Sequence, residues 1–292
     1  MEASSVEVSS TEAPVAVVTG GGSGIGAGIS EALARSGYNL VLGYNSNAER
    51  CEKWAEKLRD VHGVRVITVS GDLTQDDAFE ALFRAVDEEF GGQVTAAVHN
   101  AGRFRPETFG KGFGTGTLLE ASEGGTSKID FNSYDFYSAL YGKGFCALAE
   151  RAAARMRDGH GYIVGITAPG CSHLTAPRAH YDMEATGKCV MEQMMRYYAK
   201  NLASRQITCN CVMPGITDTP AWDLLADTVG ATKPVEGPPA KVVDRLAAQR
   251  CPMKLTIQPS DVGSAVAFLC SAHARFTTGF TLPVDGGLHL VA

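Results

Sequence analysis

The stretch Val15-Ala16-Val17-Val18-Thr19-Gly20-Gly21-Gly22-Ser23-Gly24-Ile25-Gly26 decides how the rest of the chain is read. Val15 to Thr19 is a short, uncharged, mostly β-branched run that suits a buried strand. Glycines end it, and a helix-length segment follows from about Ile25 to Ser36. A strand that passes through glycines into a helix makes a cradle for phosphate. Gly20 lets the chain turn sharply, and Gly24 and Gly26 let the backbone approach a pyrophosphate. The helix start adds unpaired N–H groups and a positive dipole end. Glycine clusters alone are common in plain loops. The position after the first strand of a βαβ unit gives this one its meaning.

Outward from that turn, apolar runs alternate with amphipathic segments along most of the chain. Further runs lie at Asn39–Tyr44, Arg65–Ser70, Val94–His99, Tyr162–Thr167, Ile207–Met213 and Thr281–Asp285. Helices are expected over Ala48–His62 and Gln75–Glu89. Such alternation needs long crossovers between parallel strands. The predicted fold is therefore α/β, a single-domain Rossmann fold with a doubly wound parallel sheet and helices on both faces. Right-handed crossovers place the ligand beyond the carboxyl ends of the strands. Two stretches, 103–130 and 217–252, are rich in Gly, Ser, Thr or Pro and break the rhythm; they read as substrate-side loops. Residues 1–13 read as a polar, disordered leader and 14–292 as one domain.

Composition narrows the function. A net charge of −6 over 292 residues leaves no basic surplus for binding nucleic acid through its phosphates. No apolar run is long enough to span a membrane, and the start lacks the marks of a secretory or transit peptide, so a cytoplasmic protein is expected. The eight cysteines are scattered. Cys209 and Cys211 would share one face of a strand, but no second Cys/His pair has ligand spacing. They read as buried reduced thiols, and no metal is expected.

The spacing TGxxxGxG from Thr19 resembles the first motif of the short-chain dehydrogenase/reductase superfamily. The resemblance continues in order at Asp72-Leu73, at His99-Asn100-Ala101-Gly102 (similar to NNAG), at Pro214-Gly215 with Thr217 and Thr219, and at Val284-Asp285-Gly286-Gly287. It implies a bound nicotinamide dinucleotide. Gly20, Ser23, Gly24, Ile25 and Gly26 would flank the phosphates, and Asp72 and Leu73 the adenine. Asn100, Ala101 and Gly102 would line the ribose and nicotinamide side, and Pro214, Gly215, Thr217 and Thr219 the carboxamide region. His99 would cap the strand end and do no chemistry. The resemblance also suggests a homo-oligomer, a tetramer or dimer.

Members that prefer NAD usually place an acid after the second strand, where it bonds the ribose 2′-hydroxyl. Here the strand runs into Gly43-Tyr44-Asn45-Ser46-Asn47. No carboxylate stands there to repel a 2′-phosphate, and Asn45, Ser46 and Asn47 can donate to one. NADP(H) is expected in preference to NAD(H), with Arg50 a possible further partner.

Most of the superfamily uses an Asn, Ser, Tyr and Lys set, with the last two spaced Tyr-x-x-x-Lys. This chain reads Tyr181-Asp182-Met183-Glu184-Ala185-Thr186-Gly187-Lys188. Lys188 falls on the family lysine, which leaves Glu184 in the tyrosine seat. Ala168 falls on the serine, with Thr167, Cys171 and Ser172 as substitutes if the loop bends suitably. Tyr141 falls on the asparagine.

The spacing of Tyr181 and Lys188 resembles that of enoyl-acyl-carrier-protein reductases. Seven residues are about two helical turns, so the two share a face roughly 10.5 Å apart along the axis, against roughly 6 Å for a spacing of four. In enoyl reduction the hydride lands two carbons further from the protonated oxygen than in carbonyl reduction, which suits a tyrosine set farther away.

The expected proton donor is Tyr181, its pKa lowered by Lys188. Glu184 is the other candidate acid, expected to be ionised by the same charge. The reading is an NAD(P)H-dependent reductase of a small enoyl or carbonyl substrate. Two alternatives stand beside it: a 3-oxo reductase or alcohol dehydrogenase, and a cofactor-binding protein with a decayed catalytic set and a non-redox role.

Overall fold

The computed structural model describes residues 13–103, 131–171, 174–177, 181–222 and 241–291. The leader lies outside these residues except for residue 13. So do residues 104–130 of the first expected loop and 223–240 of the second.

Seven strands form one parallel sheet in the order β3-β2-β1-β4-β5-β6-β7. They are β1 Val15–Thr19, β2 Asn39–Tyr44, β3 Val66–Ser70, β4 Ala96–His99, β5 Gly161–Ile166, β6 Ile207–Pro214 and β7 Thr281–Val284. Pairing in register, as in Val17 with Val41 on one side and Ala97 on the other, fixes the centre of the sheet. The order reverses between β1 and β4. That is the switch point where an open α/β sheet opens a crevice for a ligand.

Alternate residues of β1 serve opposite cores. Val15 and Val17 join the core under α3 (Asp76–Phe90), while Ala16 and Val18 join the one under α1 (Gly24–Arg35) and α2 (Ala48–His62). Both faces are covered, which is why the strands read as continuous apolar runs rather than alternating ones.

The connection from β4 to β5 ends in α4 (Phe131–Tyr137), a π-helical turn over Ser138–Lys143, and α5 (Gly144–Ala153). After β5 comes the 21-residue α6 (Asp182–Leu202). The helix α7 (Val242–Arg250) lies within the second expected loop, and α8 (Pro259–Leu269) follows it. Periodicity passed over α8, yet its start is written in the sequence. Pro259 opens it, and Gln258 and Asp261 form a capping box. Among the described residues no helix is long and apolar enough to cross a membrane.

Candidate active site

The glycine turn sits at the switch point and is tied to both neighbouring strands. Gly20 has φ +64°, a left-handed conformation that suits glycine, and its N–H donates to Gly43 O at 2.8 Å. A Cβ on Gly26 would collide with Gly20 O, so the turn closes only with hydrogen there. The Asn100 side-chain amide donates to Thr19 O at 3.1 Å and Gly20 O at 3.2 Å, which pins the loop after β4 to the turn. No backbone acceptor among the described residues takes the N–H groups of Gly24, Ile25 and Gly26. Ser23 stands at the N-cap with its side chain uncommitted to the helix. Unpaired donors at a helix start, in a turn too tight for side chains, fit a pyrophosphate.

Sequence reading missed Thr19. Its hydroxyl accepts from the N–H groups of Asn100 and Ala101, both at 3.0 Å, and so sets the loop that carries Gly102. Asp72 spends one carboxylate oxygen on the Thr74 N–H and hydroxyl, an Asx-turn that holds the loop after β3. Leu73 beside it is buried in the core. Thr217 is buried too, its hydroxyl donated to Gly215 O at 3.2 Å, so it braces the turn after Pro214. Thr219 faces the glycine turn, its methyl 3.5 Å from where a Gly24 Cβ would stand. At the end of β2, Asn45 and Ser46 are exposed. Asn47 caps α2 by accepting from the Arg50 N–H at 2.9 Å. No ion pair engages Arg50 among the described residues. Nor does any group of His, Cys, Asp or Glu among them have the arrangement of a metal site, and Cys209 and Cys211 are buried free thiols.

His99 is 1% exposed, at the end of β4. Its Nε2 lies 2.9 Å from Leu140 O, which can only accept, so Nε2 carries the proton; Nδ1 lies 3.3 Å from the Thr19 hydroxyl. Burial first, and Lys188 in a smaller part, hold its pKa down at about 4, against an ordinary 6.5. The unfolded chain therefore binds this proton first as pH falls. The stability contributed by neutral His99 is whole above about pH 6.5 and is lost on the way down to about 4. From pH 7 to 5 that is about 2 kcal/mol, at roughly 1.4 kcal/mol per unit. Urea unfolding should show wild type losing about that much more than His99→Asn over this interval. Equal losses would contradict it.

The catalytic seats are filled differently from the family pattern. Lys188 is 9% exposed on α6. Its Nζ donates to Ile166 O at 3.4 Å and lies 4.8 Å from the centre of the Tyr141 ring. The Tyr141 hydroxyl donates to Glu184 Oε1 at 3.0 Å, and Tyr181 is hydrogen bonded to the same carboxyl. Desolvation pushes the Glu184 carboxyl above the usual range and outweighs Lys188, which pulls the other way. The expectation that Lys188 would ionise Glu184 therefore meets a stronger opposing cause. Desolvation and then the Glu184 charge push the Tyr181 phenol well up rather than down, because its charged neighbour is Glu184. Nothing described replaces the family serine. The Thr167 hydroxyl is committed to Glu192 Oε1 at 2.6 Å, the buried Cys171 thiol is pushed up by desolvation, and Ser172 lies outside the described residues.

A family model described as enoyl-(acyl carrier protein) reductase matches residues 20–289. The chain is 34% identical to cis-4-hydroxycyclohexanecarboxylate dehydrogenase of Sinomonas cyclohexanicum, over 94% of this chain and 95% of that one. The chain belongs to the short-chain dehydrogenase/reductase family. A hydroxynaphthalene reductase-like protein of Metarhizium brunneum is 28% identical over 94% of each chain. Among solved structures, L-sorbose reductase from Gluconobacter frateurii, in complex with NADPH and L-sorbose, matches with a TM-score of 0.77 and 25% identity, over 95% of this chain and 97% of that one.

As a short-chain dehydrogenase/reductase, the chain is an NAD(P)H-dependent oxidoreductase. The unpaired helix-start donors and the buried, underused Lys188 ammonium are where this family's dinucleotide would lie.

Proposed function

We propose that the chain reduces a carbonyl group on a small organic substrate with NADPH. The observation that carries this reading is the cluster at the carboxyl ends of β4 and β5. A phenol and a carboxyl there share a hydrogen bond beside a buried ammonium, across from a turn built for a pyrophosphate. The dinucleotide supplies the hydride when bound. Lys188 has three donors and, among the described residues, one long hydrogen bond, so two donors remain for ribose hydroxyls. Tyr181, half-buried at the N-cap of α6, gives its proton to the oxygen that gains charge.

The three similar proteins support a carbonyl or hydroxyl reaction centre, since one is a sugar reductase, one a hydroxynaphthalene reductase-like protein and one a hydroxycyclohexanecarboxylate dehydrogenase. Enoyl reduction is the second reading, favoured by the Tyr181–Lys188 spacing and by the description of the matching family model. We also place the protein in the cytoplasm as a homotetramer. Val190 and Tyr197, 49% and 54% exposed on α6, support a helix that meets another copy.

The choice of NADPH rests on the end of β2, where Asn45 and Ser46 are exposed donors and no acid follows the strand. In a fluorescence titration NADPH should bind more tightly than NADH. Its advantage should shrink in raised salt, because the extra phosphate is held at an exposed edge. NADH binding as tightly as NADPH would overturn the preference. Turnover is tested by a screen with NADPH against ketones, enoyl thioesters and quinones.

A further inference from the structure

Three side chains at the catalytic seats form a hydrogen-bonded set that the family pattern lacks. Tyr141 stands where the asparagine belongs, Glu184 where the tyrosine belongs, and Tyr181 three residues before Glu184. Their meeting has a backbone cause. The helix bearing Tyr141 widens into the π-turn Ser138–Lys143, a local feature frequent at functional sites. The Tyr141 ring is stacked on Tyr137 at 5.9 Å and 3° from parallel, with Lys188 Nζ near its centre. Its hydroxyl donates to Glu184 and is also hydrogen bonded to the Arg103 backbone, so it is tied at both ends. Tyr141 is 2% exposed, whereas Tyr181 is half-buried, so substrate meets Tyr181. A glutamate is shorter than a tyrosine. A carboxyl in the tyrosine seat therefore sits back from the substrate and needs a phenol in front of it.

We infer that Glu184 is the proton store of this site, held in place by Tyr141 and handing its proton to Tyr181 after Tyr181 has protonated the substrate oxygen. This rests on the reductase reading above. As the hydride forms the new C–H bond, with the reduced nicotinamide as the electron source, the C=O π pair moves onto oxygen. That oxygen takes the phenolic proton of Tyr181. The Tyr181 oxygen then takes the carboxyl proton of Glu184, whose O–H bond breaks. The carboxylate left behind is stabilised by the Tyr141 hydroxyl and the Lys188 ammonium. A proton from solvent restores Glu184 before the next turnover.

The groups that face Glu184 agree with this role. They are Lys188 on its own helix, Tyr181 at the helix start, Tyr141 from the π-turn and Cys171 from the loop after β5. Desolvation makes the carboxyl keep its proton to a higher pH than an ordinary glutamate. Lys188, Tyr181 and Tyr141 each favour the carboxylate and keep that rise in check. Tyr141 is thus a positioning residue with a readable sign: without its hydroxyl, Glu184 should hold its proton to still higher pH.

The test begins with the cofactor-free protein, full chain, labelled with carbon-13 at the glutamate side-chain carboxyls. One resonance should titrate above the ordinary glutamate range, vanish in Glu184→Gln and move to higher pH in Tyr141→Phe. With NADPH and a ketone found by the screen, kcat for reduction should fall as pH rises through that same midpoint. Glu184→Gln should remove this limb and lower kcat ~10-fold, less than the loss of the donor itself, with little change in KM. Glu184→Asp should restore part of both.

A Glu184 resonance in the ordinary range, or a pH limb that persists in Glu184→Gln, would overturn the inference. If Tyr141→Phe does not fold, the Glu184 variants decide alone. If no ketone consumes NADPH, the reductase reading falls, and the carboxyl titration still judges the store by itself.

Discussion

Replacing Lys188 with alanine should weaken NADPH binding and lower turnover by about 10²-fold or more, the range expected when an acid–base assistant is lost. The ammonium is nearly buried, yet its hydrogen bonding among the described residues amounts to one contact of 3.4 Å with Ile166 O. Its other favourable neighbours are the Tyr141 ring and the Glu184 carboxyl, whose charged form it favours. A buried ammonium with two donors unspent has given up hydration that the protein's hydrogen bonds do not replace. Ligand hydroxyls would recover it, and that is the argument for a binding role. The same shortfall predicts that Lys188→Ala folds at least as well as wild type, since the variant removes a buried ammonium whose donors are mostly unspent. Folding midpoint, cofactor titration and turnover should therefore separate: the first unchanged or raised, the other two reduced. A folded Lys188→Ala protein with wild-type turnover would mean that this lysine does not hold the cofactor.

Tyr181→Phe should cost about 10²- to 10⁴-fold in kcat, the span measured for general acids, while leaving cofactor affinity nearly intact. Phenylalanine keeps the ring and deletes only the hydroxyl. Tyr181 stands at the start of α6, where Glu184, Cys171 and Tyr141 are the groups that act on it. Losing the hydroxyl removes the group that meets the substrate oxygen and also one hydrogen bond to Glu184. Glu184→Gln keeps the shape behind it and should cost less. Kinetics at saturating NADPH check the ranking. If Glu184→Gln proved the more damaging change, the carboxyl would be the donor. If neither mattered, the protein would be a cofactor binder whose catalytic set has decayed.

Much of the fold could be read from sequence because both faces of a parallel sheet are covered. The strands stand out as apolar runs, and the glycine turn after β1 fixes where the sheet opens. Helix α8 was overlooked because its apolar residues carry no clear stripe, although Pro259 and the Gln258–Asp261 pair mark its start. The positions of Lys188, Glu184 and Tyr181 followed from counting along one helix. Their electrostatics did not, because helix spacing gives the distance to Lys188 but not the desolvation that outweighs it at Glu184. Tyr141 is the clearest case. The family pattern puts it in the asparagine seat, but only the π-turn brings its hydroxyl to Glu184, and nothing in Ser138–Lys143 announces that turn. Thr19 was missed for a similar reason, since the N–H groups it accepts from belong to the loop after β4, 81 and 82 residues further along the chain.

The most direct test of the central claim follows the hydride itself. NADPH carrying deuterium at the transferable position of nicotinamide C4 would be incubated with the protein and the ketone or enoyl thioester that supports turnover, and the product examined by NMR and mass spectrometry. Carbonyl reduction predicts an alcohol with deuterium on the carbon that bears the new hydroxyl. Deuterium two carbons from the acyl oxygen of a saturated thioester, with the carbonyl untouched, would contradict it.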